Sequence, residues 1–174
     1  MSAGRQSVFL TGFMAVGKST VGRLLAHRLG VAFFDLDALV EAEANMAVAE
    51  IFAREGEASF REREARALKM AIHHGGGVVA LGGGALLGDE SRVRIVRAHG
   101  RLVCLTASID ALVARLGDAT LRPLLAGSPD RRAAVAALLR ERAALYEDAD
   151  LAVDTTDRAP ERVAEEIATW IASA

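Results

Sequence analysis

The chain has one cysteine, no long apolar run and no dominant sign of charge, and each absence removes a class of protein. A single cysteine cannot close an internal disulfide, so a disulfide-stapled scaffold is excluded and a reducing compartment is expected. Cys104 lies in the apolar run Leu102-Val103-Cys104-Leu105, where it reads as a small buried hydrophobe rather than a nucleophile. No apolar stretch is long enough to cross a bilayer. Met1 to Gln6 is short and polar and lacks the apolar core of a signal peptide, so a cytoplasmic protein is expected. The formal net charge is −2 with both signs interspersed, which leaves no footprint for nucleic acid or an anionic membrane. None of the histidines (His27, His73, His74, His99) falls in a metal-ligand spacing. There is no internal repeat, no low-complexity tract and no linker that would split the chain.

What is present is the composition of a folded domain. Of 174 residues, 52% are apolar and 25% charged, enough to bury a core without staples. Short apolar runs at 7–10, 33–35, 78–81, 101–105 and 151–153 alternate with helical periodicity at 20–29, 38–44, 48–54, 57–74, 89–99, 108–116, 130–148 and from Pro160 onward. Gly30 and Asn45 are expected to stop two of these helices in the left-handed conformation, and Ser108 and Asp110 to cap another. Near-continuous apolar strands between helices predict an α/β domain whose parallel sheet is covered on both faces. One domain over 1–174 is expected, with a small insertion near 46–75. The segment 117–129 has no clear period and is flanked by Gly and Pro, which predicts a mobile loop.

The stretch Gly12-Phe13-Met14-Ala15-Val16-Gly17-Lys18-Ser19 matches G-x-x-x-x-G-K-[ST] between a strand and a helix. Such a loop wraps backbone N–H groups around a phosphate at a helix N-terminus. Lys18 supplies charge for the β/γ oxygens and Ser19 a hydroxyl for Mg²⁺. The motif points to nucleotide and magnesium but leaves the reaction open. Phe34-Asp35-Leu36-Asp37 then places two carboxylates at the C-terminal end of a strand, the edge of a parallel sheet that faces ligands. Alternation along the strand would send one toward the metal and the other toward an acceptor hydroxyl. The plainer alternative makes Asp37 a helix N-cap and Asp35 a solvated loop residue.

Three arginines stand out. Arg61 and Glu64 are one helical step apart, and charge pattern alone does not choose between a solvated pair and a carboxylate holding Arg61 for a ligand. Arg142 falls inside the apolar stripe Val135, Leu138, Leu139, Leu145, Tyr146. A buried guanidinium needs an anionic partner, either a structural Asp or Glu or a ligand carboxylate or phosphate. Arg122, inside 117–129, is placed to stabilise a transferring phosphoryl group or else is a surface residue before Pro123. Gly82-Gly83-Gly84 follows the third strand and would let a ligand approach the backbone. Gly75-Gly76-Gly77 reads as a connector, and Tyr146 and Trp170 as core.

Taken together, Gly12-Phe13-Met14 with Gly17-Lys18-Ser19-Thr20, then Asp35-x-Asp37, Gly56-Glu57-x-x-Phe60-Arg61-x-x-Glu64, Gly82-Gly83-Gly84-Ala85, Arg122-Pro123-Leu124 and Arg142-x-x-x-Tyr146 resemble the shikimate kinase family across about residues 7–157. The resemblance implies a single P-loop kinase domain of nucleoside monophosphate kinase-like fold, with a five-stranded parallel sheet in the order 2-3-1-4-5. It implies a substrate-binding insertion at about 37–64 and a mobile lid at about 117–129. It implies transfer of the ATP γ-phosphoryl group to the 3-hydroxyl of shikimate, giving shikimate 3-phosphate and ADP in aromatic amino-acid biosynthesis. Gly12, Ala15, Val16, Gly17, Lys18, Ser19 and Thr20 would then hold ATP, with Arg115 packing on adenine and Lys18 and Arg122 on the phosphates. Ser19 would be a direct Mg²⁺ ligand and Asp35 would act on the metal through water. Asp37, Arg61 and Arg142, with the run Gly82, Gly83 and Gly84, match acceptor-binding positions. Asp37 would hold the ring hydroxyls, as base or orienting group, and Arg61 and Arg142 the carboxylate. The catalytic set would be Lys18, Asp37 and Arg122. Ala15 and Asn45 stand where the family often has Gly.

Shikimate and ATP are therefore the expected partners of a monomeric enzyme. Two alternatives stay open at this point. Another small-acceptor kinase, such as one acting on gluconate, should lack the Arg61 and Arg142 clamp. A non-catalytic sensor on the same fold should lack Lys18, Asp37 or Arg122.

Overall fold

The computed structural model describes residues 6–117 and 130–173. The expected lid at 117–129, with Arg122, lies outside the described residues apart from Gly117. Five strands and seven helices follow one another among the described residues. They are β1 (Ser7–Gly12), α1 (Lys18–Leu29), β2 (Ala32–Asp35), α2 (Leu36–Ala44), α3 (Val48–His73), β3 (Gly77–Ala80), α4 (Glu90–His99), β4 (Gly100–Thr106), α5 (Ile109–Leu116), α6 (Arg131–Glu147), β5 (Leu151–Asp154) and α7 (Pro160–Ser173). The strands form one parallel sheet in the order β2-β3-β1-β4-β5, the order that the resemblance implies.

Every residue of β1 and β3 is buried, whereas the edge strands β2 and β5 are only partly covered. That is why the central strands read as unbroken apolar runs. Alternation along β1 divides the core. Val8 and Leu10 join Val78, Val103 and Leu105 under α1, α5 and α7, through Val21, Leu25, Leu112, Val163 and Ile167. Phe9 points the other way, to Val79, Leu81 and Leu102 under α2, α3 and α4, through Leu36, Val40, Ile51, Phe60 and Val96. Each such side chain contributes about 1.5–3 kcal/mol on burial.

Local chemistry sets the element ends. The side chains of Asp35, Asp89, Ser108 and Asp130 accept from the N–H of Ala38, Arg92, Ala111 and Ala133, capping α2, α4, α5 and α6. Asp110 lies in the first turn of α5 instead of capping it. Gly30 and Asn45 end α1 and α2 in the left-handed conformation, Asn45 with φ 50°. The two expected helices over 48–74 run on as one element but break at Gly56, whose φ of 82° and ψ of 173° are not helical. α1 begins two residues before the expected Thr20, directly on Gly17.

Cys104 is fully buried in β4, and burial pushes its thiol up to about 11. At pH 8 such a thiol is roughly one part in a thousand ionised, far below a free cysteine. Folded protein should therefore resist iodoacetamide at pH 8, while protein in denaturant takes up one label. Rapid labelling of the folded chain would contradict this burial.

Candidate active site

The phosphate loop is the turn from β1 into α1. At Gly12 (φ 136°) a Cβ would lie 2.3 Å from the Leu105 carbonyl oxygen, so the position admits only glycine. Gly17 (φ 108°) precedes α1 with no side-chain cap, leaving the first N–H groups of the helix for an anion. Ala15 also takes a positive φ, 61°, at a cost of about 1 kcal/mol relative to glycine. Lys18, the first residue of α1, turns back so that Nζ donates to the carbonyls of Gly12 (2.9 Å) and Phe13 (3.0 Å). The loop borders a cavity of about 720 Å³.

Asp35, not Asp37, takes the capping role weighed for the acidic pair, and it is held by Ser19 and is not a solvated loop residue. Oδ1 caps α2 through Ala38 N–H at 3.3 Å, and Oδ2 accepts from the Ser19 hydroxyl at 2.5 Å. Asp37 does not alternate with it along a strand, because β2 ends at Asp35 and Asp37 already belongs to the first turn of α2. The strand-to-helix change, rather than the strand's pleat, separates the two carboxylates. Asp37, Met14, Glu41 and Gly83 border both the 720 Å³ cavity and a second cavity of about 490 Å³, so the two spaces meet there.

The second cavity has an apolar side, which includes Val48, Phe52 and Phe60, and a polar side formed by Arg61, Glu64, Gly82, Gly83, Gly84 and Arg142. Arg142 is 3% exposed and donates from Nη1 to the Gly83 carbonyl (2.8 Å), with its guanidinium 5.5 Å from the Phe13 ring centroid. Its Nε has no hydrogen-bond partner, and no carboxylate pairs with it among the described residues. The structural Asp or Glu considered for it is therefore absent among those residues. An uncompensated buried cation costs several kcal/mol, so this side chain is poised for an anion from outside the chain. One turn along α6, the Tyr146 hydroxyl is buried beside Arg142 with no close hydrogen bond among the described residues. Burial raises its pKa above the ordinary value, partly offset by the charge of Arg142.

Arg61 and Glu64 are not a solvated pair. Glu64 is 1% exposed, and Arg61 Nη1 donates to its Oε2 at 2.9 Å. Arg61 also pairs with Glu57 at 3.2 Å and lies 5.3 Å from the Phe60 ring centroid. The three glycines of 82–84 serve these side chains. A Cβ at Gly82 would lie 2.3 Å from Glu64 Oε1 and 3.0 Å from Asp37 Oδ1, one at Gly83 would lie 3.3 Å from Arg142 Nη1, and one at Gly84 would lie 2.8 Å from Arg61 Nη2. None of the three has a positive φ, so glycine is needed here for space and not for conformation.

Arg115 is tied to Thr155 at the larger cavity. Its Nη1 donates to Thr155 Oγ1 (2.9 Å) and its Nη2 to the Thr155 carbonyl (2.7 Å), and both residues border the larger cavity. The Thr155 hydroxyl lies 3.1 Å from the Val16 carbonyl and 3.0 Å from that of Thr106, tying β4 and the residue after β5 to the phosphate loop. Sequence reasoning missed Thr155, Arg158 and Arg92. Thr155 and Arg158 follow β5 at the ligand-facing edge, a position that could have drawn attention to them. Arg92 sits on a helix with several arginines, and no local pattern separates it from them.

Gly82→Ala is expected to destabilise the protein by about 1–3 kcal/mol, the usual cost of overpacking, because Glu64 is held in place at its other oxygen by Arg61 and Arg92. A urea melt checks it, and an unchanged midpoint would contradict the crowding at position 82.

Comparison with known proteins agrees with this geometry. The family model described as "Shikimate kinase" matches residues 14–172. The shikimate kinase of Geobacter sulfurreducens is 48% identical over 166 residues, covering 95% of this chain and 91% of that protein. The solved shikimate kinase from Acinetobacter baumannii in complex with shikimate superposes with a TM-score of 0.90 at 32% identity, over 97% of this chain and 94% of that one. A gluconokinase from Sinorhizobium meliloti shares the fold at a TM-score of 0.58 and 19% identity, covering 98% of this chain and 93% of its own, a likeness that speaks to fold alone. A P-loop kinase fold, a phosphate loop and an arginine-lined cavity beside it thus coincide with close sequence kinship, and the chain belongs to the shikimate kinase family.

Proposed function

We propose that this chain, an ATP-dependent kinase acting on shikimate, binds the nucleotide in the cavity of about 720 Å³ and the acceptor in that of about 490 Å³. The observation that carries the reading is Arg142, buried, without a carboxylate partner among the described residues and one glycine away from Arg61. Two guanidiniums converging on adjacent glycines suit one carboxylate. The apolar side formed by Val48, Phe52 and Phe60 suits the carbon face of a ring.

The residues then divide the work. Arg61 and Arg142 hold the acceptor carboxylate, and Gly82, Gly83 and Gly84 keep the backbone low enough for both. Asp37, where the cavities meet, orients the 3-hydroxyl toward the γ-phosphorus. The hydroxyl oxygen bonds to that phosphorus as the bond to the β–γ bridging oxygen breaks, and ADP leaves. The proton passes to the Asp37 carboxylate or to solvent as the ester forms. Gly12, Ala15, Val16, Gly17, Ser19 and Thr20 cradle the phosphates, and Lys18 moves its ammonium from the loop carbonyls to the phosphate oxygens. Arg115 takes the adenine side. Arg122, outside the described residues, adds a cation as the lid closes and water is excluded.

The hydroxyl of Ser19 and the carboxylate of Asp35, 2.5 Å apart on the phosphate-loop cavity, are hard oxygen donors of the kind magnesium takes beside phosphates. They fit the ion, with Ser19 as direct ligand and Asp35 acting through water. Bound there, Mg²⁺ would neutralise charge on the β and γ oxygens.

The proposal includes one domain over 1–174, with the acceptor-binding insertion at about 37–64 and the lid at about 117–129. It includes a cytoplasmic monomer that uses no nucleic acid or membrane. Among the described residues, only Met70 and Leu87 are large exposed apolar side chains, too few for an extensive docking face, and no helix is long and apolar enough to cross a membrane. Neither a gluconate kinase nor a sensor is favoured, since the Arg61 and Arg142 clamp is present, as are Lys18, Asp37 and Arg122.

A coupled ADP-release assay with MgATP and shikimate, gluconate or no acceptor tests the reading. ADP release should depend on shikimate; turnover with gluconate alone would defeat the assignment. Arg61→Lys should weaken shikimate binding by about ten- to a hundredfold, the equivalent of one charge-assisted contact of roughly 1.5–3 kcal/mol, and leave ATP binding within about twofold. Equal losses for both ligands would remove Arg61 from the acceptor site.

A further inference from the structure

Arg92 touches neither cavity, yet two of its four contacts bear directly on the acceptor arginine. Nη1 donates to Glu64 Oε2 at 2.8 Å, the same oxygen that Arg61 Nη1 takes at 2.9 Å. Nη1 also reaches the Ala85 carbonyl at 3.1 Å, and Nη2 the Arg61 carbonyl at 2.6 Å. Nε pairs with Asp89 Oδ2 at 3.0 Å. Asp89 is itself the cap of α4, its carboxyl held below the ordinary range first by the Ser91 hydroxyl and then by the Arg92 N–H. The Arg92 side chain is 11% exposed and that of Glu64 1%.

These contacts have two consequences. One is mechanical: a single fork joins α3 at Arg61 and Glu64, the turn leaving the glycine run at Ala85, and the start of α4. The spacing between Arg61 and Gly84 depends on it. The other is electrostatic. Glu64 alone would neutralise Arg61 and repel an incoming carboxylate. With Arg92 sharing the same oxygen, the one buried carboxylate of the cluster is offset by a second guanidinium, while Glu57 and Asp89, the other partners of Arg61 and Arg92, are more exposed and more strongly screened by solvent.

We propose that Arg92 is a positioning residue for acceptor recognition, which fixes the Arg61 turn against the glycine run and offsets the charge of Glu64 so that Arg61 remains available to the acceptor carboxylate. This rests on the reading of the smaller cavity as the shikimate site.

The test is calorimetric titration of wild type, Arg92→Met, Arg92→Lys and the double variant Arg92→Met/Glu64→Gln, with shikimate and separately with MgATP. Arg92→Met should weaken shikimate about tenfold or more and leave ATP within about twofold. Arg92→Lys, which keeps the charge but loses the fork, should fall between the two. The double variant removes the carboxylate together with the guanidinium that offsets it and should bind shikimate about threefold or more tighter than Arg92→Met, a recovery that a purely structural role would not produce. Wild-type affinity in Arg92→Met, equal losses for both ligands, or no recovery in the double variant would overturn the proposal. If Arg92→Met does not fold, Arg92→Lys decides: a selective loss of shikimate supports the proposal and wild-type affinity overturns it. Failure of the wild type itself to bind shikimate would instead remove the acceptor reading beneath it.

Discussion

In a parallel sheet all strands end at one edge, and the chemistry of this protein depends on that constraint. β1 ends in the phosphate loop, β2 in Asp35 and Asp37, β3 in the glycine run and β5 in Thr155 and Arg158. Because β1 is central, with β3 on one side and β4 on the other, the loop after β1 is flanked by the ends of both neighbouring strands. The helices behind the sheet supply the remaining parts. α3 brings Arg61 and Glu64, α6 brings Arg142, and α5 brings Arg115.

Charge burial shapes the smaller cavity. Three arginines and a glutamate meet around a backbone segment that has no side chains of its own. Glu64 is satisfied at one oxygen by two guanidiniums, whereas its other oxygen and the Nε of Arg142 lack partners among the described residues. Unpaired polar atoms at this depth are costly, and their clustering on one cavity marks it as a place where ligand atoms complete the bonding. The strain at Ala15 belongs to the same pattern, since a left-handed non-glycine residue is tolerated where the loop must curl its N–H groups inward.

Much of the site could be read along the chain because its chemistry is local. The phosphate loop is one contiguous turn, and Asn45 and Ser108 act as caps through their own backbone neighbours. Arg142 was legible for a different reason: a charge inside an apolar helical stripe conflicts with its surroundings, and that conflict can be seen in one dimension. The purpose of Gly82, Gly83 and Gly84 was only half visible. Their number suggested close approach, but the neighbours that need the room are Glu64, Asp37, Arg142 and Arg61, which come from three different helices.

Sequence by itself determined the alternation of elements, the phosphate loop and the acidic pair, because each rests on spacing within one strand, turn or helix, and the family, because six such local motifs follow one another in order along the chain. Tertiary structure alone decided that Asp35 would meet Ser19, that Glu64 would be shared between Arg61 and Arg92, that Thr155 would tie the phosphate loop to β4, and that Arg142 would have no carboxylate partner among the described residues. Those outcomes depend on which side chains distant in sequence come within about 3 Å of one another, a distance set by how the helices pack on the sheet.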